Sequence, residues 1–106
     1  MDPALYKDVS FDGLNYHYYY HPAKSASLPT LLFLHGFPST SEDWAHQVVY
    51  FSNKGYGVIA PDMLGYGGTS KPSDLTPYEG TTLATHCKGI LDAEGIQKFI
   101  NISHDW

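Results

Sequence analysis

The chain has 106 residues, and 42% of them are hydrophobic, which is enough apolar material for one small folded domain. Eleven acidic residues against six basic ones give a formal net charge of −5, and the absence of any Lys or Arg run argues against a nucleic-acid partner. No stretch approaches the roughly 18 consecutive apolar residues of a membrane-spanning helix, and Met1-Asp2-Pro3 begins no signal segment. The single Cys87 cannot form an internal disulfide, so we expect a cytoplasmic protein.

The first predicted element is a β-hairpin. Asp12-Gly13 separates the strand-like runs 9–11 and 14–21, and Asp-Gly in this position is a strong hairpin signal. Aromatic side chains alternate along the second run, so one face is expected to pack and the other to be more hydrated. His17 and His21 lie on that second face, too far apart along a strand to form an adjacent pair of ligands, and we predict no metal site.

A strand–helix–strand unit follows the hairpin. The apolar runs 30–34 and 57–61 predict two buried strands. Between them, the capping-box pattern of residues 39–42 begins a predicted helix that ends near Gly55, with an apolar face formed by Trp44, Val48 and Phe51. Such a crossover is right-handed and packs its helix on a parallel sheet, so the predicted class is α/β.

The second half contains a loop, a helix and a last strand. Residues 62–80 are rich in Gly and Pro and predict a long irregular loop at the carboxyl edge of the sheet. Residues 81–94 have apolar side chains at helical spacing and are followed by Gly95, which predicts a second helix. The run 99–102 has the composition of a strand covered on both faces, yet no helix follows it. Because an uncovered last strand would leave an open sheet edge, we expect a piece of a larger domain.

Two short motifs directly follow predicted strands. His35-Gly36-Phe37-Pro38 follows the run 30–34, and Asp105-Trp106 ends the chain after the last strand. Open α/β sheets bind ligands at the carboxyl ends of their strands. Gly36 lets the backbone approach a ligand, and Pro38 fixes the geometry so that the Phe37 amide can point at a developing oxyanion. Asp105 is a candidate nucleophile, although an Asp in this position also commonly caps a following helix.

Together these motifs resemble the α/β-hydrolase superfamily and, within it, the epoxide hydrolase branch. The resemblance rests on the order and spacing of residues 35–38, 62–72 and 104–106. It implies the N-terminal portion of an α/β-hydrolase fold, in which an antiparallel hairpin leads into a mostly parallel sheet with flanking helices. Residues 1–106 would be the N-terminal part of the catalytic domain, and the lid and C-terminal half would be absent from this chain. It also suggests that Asp62 and residues 65–67 shape their loop structurally.

The chemistry implied by the resemblance begins with Asp105. No G-x-S-x-G occurs, and a carboxylate in the nucleophile position can attack an sp³ carbon and leave an alkyl ester on the enzyme. Hydrolysis of that ester would yield a diol, and the backbone amides of Phe37 and Trp106 would form the oxyanion hole. His35, Gly36 and Pro38 would support the loop. The implied substrate is a small apolar epoxide. Residues 65–70 lack both phosphate-binding glycine patterns, and we predict no cofactor.

The resemblance also implies groups that this chain does not contain. The histidine base, its acidic partner and two lid tyrosines would lie beyond residue 106, so the expected partner is a C-terminal fragment or a second chain that completes the domain. His35 and His104 flank the motifs, and we expect a structural role for both, because His104 should point away from the face used by Asp105. Ser103 stands where the family usually has Gly, which predicts some strain in the turn.

Two other functions remain open. Haloalkane and haloacetate dehalogenases share the fold and the Asp nucleophile, but the former typically have Asn where Phe37 stands and the latter Arg where Trp106 stands. Both differences favour the epoxide hydrolase hypothesis. The third possibility is a truncated, non-catalytic fragment that at most binds a partner through its exposed sheet edge.

Overall fold

A computed structural model describes residues 1–37 and 39–104 and shows a mixed β-sheet with helices on both faces. The strands are β1 (Tyr6–Phe11), β2 (Leu14–His21), β3 (Thr30–Leu34), β4 (Gly57–Pro61) and β5 (Phe99–Ser103), in the spatial order β1-β2-β4-β3-β5. β2 pairs antiparallel with β1 and β4, whereas β3 pairs parallel with β4 and β5. The helices are α1 (Ala45–Asn53) and α2 (Gly80–Ala93), with short 3₁₀ turns at Pro3–Leu5, Ser41–Trp44 and Thr76–Tyr78. The predicted α/β class is confirmed.

The hairpin turn has the backbone that its sequence predicts. Asp12 and Gly13 both have positive φ, 53° and 78°, as a two-residue turn matching the strand twist requires. The expectation of a more hydrated second face on β2 holds at Asn15, His17 and His21, which are partly exposed, and is wrong at Tyr19, which is buried there. It packs in a cluster with Leu31 and Phe33, while Tyr16 and Tyr18 pack on the opposite face. The sheet is covered on both sides at β2.

Helix α1 covers one face of β3 and β4. The Thr40 side chain accepts a hydrogen bond from Glu42 N at 3.3 Å and caps the 3₁₀ turn before the helix. The rings of Trp44 and Phe51 lie 5.1 Å and 6.4 Å from the Phe33 ring, so the predicted apolar face of the helix is confirmed. The chain leaves the helix through Gly55, whose φ of 96° explains the need for glycine.

Helix α2 covers the other face. Its buried side chains include Leu83, Ile90 and Leu91, and burial raises the pKa of the Cys87 thiol to about 11. His86 is buried between two elements: its Nε2–H donates to the Asp12 carboxylate at 3.1 Å, so Nδ1 accepts from the Tyr16 hydroxyl at 2.9 Å. None of the helices in the described ranges is long and apolar enough to cross a membrane.

Strand β5 differs from the prediction. It pairs with β3, but it is an outer strand of the described sheet, and its side chains are largely exposed, with Ile100 at 50%. The prediction of a strand covered on both faces is therefore wrong for residues 1–104. An apolar strand composition fits a covered position, but coverage depends on elements that this part of the chain does not supply.

Candidate active site

The carboxyl ends of β3 and β5 lie side by side. Leu34 is in register with Ser103, and the His104 N–H donates to the Leu34 carbonyl at 3.1 Å. The loop that begins at His35 and the residue that precedes Asp105 therefore leave the sheet from neighbouring strands. Pro38, Asp105 and Trp106 lie outside the described residues, so the nucleophile, one oxyanion amide and one loop residue stay predictions.

His35 joins its loop to the loop after β4. The side chain is 1% exposed, and Nε2 accepts a hydrogen bond from the Met63 N–H at 2.9 Å. Nδ1 therefore carries the proton and donates to the Gly36 carbonyl at 2.9 Å. The Tyr66 ring packs edge-to-face on the imidazole at 5.2 Å. Both ring nitrogens of His35 are thus engaged within the fold, and the role of His35 and Gly36 in supporting the loop of the site stays a prediction.

Replacing His35 by Phe is expected to destabilise the protein by about 1–3 kcal/mol, because the buried Met63 N–H would lose its acceptor while ring volume is kept. Urea unfolding measures the change in the free energy of unfolding. His46→Phe on the exposed side of α1 is the matched control and should change it by less than about 0.5 kcal/mol. Equal effects of the two substitutions would show that the His35 hydrogen bond contributes nothing specific.

The Asp62 carboxylate connects the glycine-rich loop with the segment that leads into α1. One oxygen accepts from the Ser41 N–H at 2.8 Å and the other from the Gly68 N–H at 3.0 Å. Gly67 has a φ of 52°, and a Cβ there would lie 2.3 Å from the carboxylate, so only glycine fits. The structural role expected for this loop agrees with these contacts.

An aromatic surface lies beside the two strand ends. The Phe37 side chain is 74% exposed, and its ring packs edge-to-face with Tyr66 at 6.3 Å. Tyr66 in turn rests on His35, which is itself fixed by hydrogen bonds. The sequence interpretation considered only the Phe37 amide and missed Tyr66 as a neighbour, although Tyr66 belongs to one of the three motifs. The assignment of the Phe37 amide to the oxyanion hole stays a prediction.

Ser103 adopts an ordinary strand conformation. Among the described non-glycine residues, Asp12 is the one with positive φ, so Ser103 is outside the left-handed region. Its hydroxyl donates to the Asn101 side-chain oxygen at 2.7 Å. The strain expected from Ser in place of Gly is therefore absent from the backbone of this residue.

Within the described ranges, no three His, Cys, Asp or Glu side chains are grouped as metal ligands.

Strand order, crossover helices and two loops at the carboxyl edge define an α/β-hydrolase core. Residues 29–106 match the model of the alpha/beta hydrolase fold family, and the chain belongs to that family. The resemblance inferred from the three motifs is confirmed.

Named relatives are epoxide hydrolases. Epoxide hydrolase 3 of Siraitia grosvenorii is 37% identical over 106 residues, which are 100% of this chain and 32% of that protein. Epoxide hydrolase 4 of Homo sapiens is 38% identical over a match that covers 99% of this chain and 29% of the human protein. The crystal structure of an epoxide hydrolase from Vigna radiata superposes with a TM-score of 0.84 at 32% identity, covering 95% of this chain and 32% of that one. The chain thus spans about a third of the length of these relatives.

Proposed function

We propose that the complete protein is an epoxide hydrolase and that this chain supplies its nucleophile, Asp105. The observation that carries the proposal is the adjacency of the two strand ends, His104 N–H to Leu34 O, in a chain that matches about a third of longer proteins named epoxide hydrolases. This adjacency supports a site in which the Phe37 amide and the group after His104 act on the same substrate. Residues 1–106 would be the N-terminal part of the catalytic domain.

The proposed reaction has two steps. The Asp105 carboxylate attacks a ring carbon, the carbon–oxygen bond breaks, and the departing oxygen takes a proton from an acid outside this chain, leaving a hydroxyalkyl ester. Water then attacks the ester carbonyl after losing a proton to a base that is also outside this chain. The Phe37 and Trp106 amides would donate to the resulting oxyanion, which collapses to a diol and the free carboxylate.

The aromatic surface supports an apolar substrate. The exposed Phe37 ring and Tyr66 lie beside the end of β3, and Tyr66 is held from below by His35. Such a surface favours burial of a hydrocarbon substituent over a charged one. A small epoxide with an apolar substituent is therefore the proposed substrate class. The cytoplasmic location predicted from the sequence stays a prediction.

A further part of the protein is proposed to complete the domain. The outer strand β5 exposes Phe99 and Ile100, and an apolar cavity of about 400 Å³ lies between α2 and this strand. Its wall includes Leu34, Leu83 and Leu91. Together with the chain's one-third coverage of its relatives, this supports a C-terminal segment or second chain that packs here and carries the base and acid groups.

Single-turnover labelling tests the proposed reaction. The complete protein, in small molar excess over styrene oxide, reacts with it in heavy-oxygen water. We expect intact mass to show a transient protein–substrate ester. Heavy oxygen should then appear in the peptide that contains Asp105, and not in the diol of the first turnover. A first-turnover diol that carries the label, with no ester, would contradict the proposal. A chloroalkane assay separates the dehalogenase alternative, since halide release without epoxide opening would favour it.

A further inference from the structure

Three aromatic rings form a row that runs from the interior to the surface at the carboxyl edge of the sheet. His35 is buried and packs edge-to-face on Tyr66, with ring centres 5.2 Å apart and planes at 88°. Tyr66 packs in the same way on Phe37, at 6.3 Å and 70°. Phe37, the third ring, is 74% exposed. Edge-to-face is a preferred arrangement of aromatic pairs, so each ring limits the orientation of the next.

The middle ring, that of Tyr66, is fixed in two ways. Its backbone closes a tight turn, because its N–H donates to the Met63 carbonyl at 2.9 Å and its carbonyl accepts from the Thr69 N–H at 3.1 Å. Its ring rests on His35, which uses both ring nitrogens in hydrogen bonds within the fold. Tyr66 is therefore a rigid support for the Phe37 ring.

Phe37 carries its ring on the same residue whose backbone amide is the proposed oxyanion donor. With most of the side chain exposed, packing in the core does not select its rotamer, whereas the edge-to-face contact with Tyr66 favours one orientation. Because ring and amide belong to one residue, a substituent attached through a single carbon to the reacting epoxide would reach the Phe37 ring. The orientation that Tyr66 gives this ring therefore affects which substituents bind.

We propose that Tyr66 is a specificity-determining residue that makes the site prefer an aromatic substituent over a saturated ring of similar size. Tyr66 is a positioning residue, because it holds the Phe37 ring in the orientation in which a substrate aryl group packs on it. Burial of apolar area favours a cyclohexyl ring at least as much as a phenyl ring, so the preference comes from the aromatic contact. The inference rests on the proposed function, since it concerns the substrate of that site.

Benzyl oxirane and cyclohexylmethyl oxirane test the preference in the complete protein. In both compounds a methylene group separates the ring from the epoxide, so the aromatic ring does not activate the reacting carbon. We expect kcat/KM to be roughly two- to tenfold higher for the benzyl compound. Tyr66→Leu should bring the ratio of the two kcat/KM values close to one, and Tyr66→Phe should keep the wild-type ratio. Tyr50→Leu, at an exposed position of α1, is the control and should leave the ratio unchanged.

A double variant tests whether Tyr66 acts through Phe37. Phe37→Leu should also bring the ratio close to one, and adding Tyr66→Leu should change the ratio no further. Effects on the ratio that multiply in the double variant would overturn the proposal. An equal fall in both kcat/KM values in Tyr66→Leu, with the ratio kept, would overturn it as well, because it would show a purely structural role.

Binding of the two corresponding diols separates this inference from the proposed reaction. NMR titration of protein with labelled Tyr and Phe rings should show tighter binding of the phenyl diol and contacts of its ring with Phe37. Tyr66→Leu should abolish the difference in affinity. A protein that opens neither epoxide but keeps this difference would refute the proposed function and support the aromatic preference. Equal affinity of the wild-type protein for the two diols would overturn the preference.

Discussion

Replacing Asp105 by Asn in the complete protein is expected to lower the rate of diol formation by roughly 10⁴–10⁶-fold, the range found when a nucleophile or its direct partner is removed. A neutral amide cannot supply the carboxylate oxygen that forms the ester bond. The measurement is steady-state diol production, together with intact mass during a single turnover. No ester should accumulate in the variant.

Asp92→Asn is the matched control for this substitution. Asp92 is an exposed residue of α2 paired with Lys88, outside both loops of the candidate site, and its change should leave the rate within about twofold. Retention of more than a tenth of the wild-type rate by Asp105→Asn would show that another group attacks the epoxide. Unfolding of both proteins at the same urea concentration would confirm that the loss is chemical and not structural.

Replacing Asp62 by Ala is expected to destabilise the protein by about 2–5 kcal/mol, because the buried N–H of Ser41 and the partly buried N–H of Gly68 lose a charged acceptor together. Urea unfolding of the complete protein gives the change in the free energy of unfolding. Asp62→Asn retains one acceptor oxygen but points an amide N–H at a backbone donor. Its change in the free energy of unfolding should therefore lie between zero and that of Asp62→Ala, closer to that of Asp62→Ala. Asp92→Ala should change the free energy by less than about 0.5 kcal/mol.

Gly67→Ala offers an independent check on the same contact. Its Cβ would meet the Asp62 carboxylate at 2.3 Å, so the substitution should destabilise the wild-type loop. In the Asp62→Ala background this clash is relieved and only the strain of positive φ at residue 67 remains. The double variant should therefore be more stable than the sum of the two single effects predicts. If the effects of the two substitutions on the free energy of unfolding simply add, the Asp62 carboxylate does not lie against residue 67.

Features encoded by neighbouring residues were predictable from the sequence. Asp12-Gly13 fixes the hairpin through positive φ at both positions, and Gly55 and Gly95 end their helices with φ of 96° and 69°. The bounds 57–61 of β4 follow from a continuous apolar run between Gly and Asp. Each of these depends on backbone conformation or on burial over a few residues.

Features that depend on distant partners were not predictable. The burial of Tyr19 requires Leu31 and Phe33 on the same face, and nothing in the alternation along β2 reveals them. The exposure of β5 depends on what lies beyond the edge of the sheet. The partners of the Asp62 carboxylate arise from the meeting of separate loops, which a spacing pattern does not record.

The interior position of β3 in the sheet has a consequence for biosynthesis. Its two neighbours, β4 and β5, both come later in the chain, and β5 emerges only after α1, β4 and α2 have been made. At synthesis rates of roughly 5–20 residues per second, Leu31 to Phe33 keep an open, apolar edge on the ribosome for several seconds. A nascent chain with this order of strands is a natural client for chaperones that shield hydrophobic segments until translation supplies the missing neighbour.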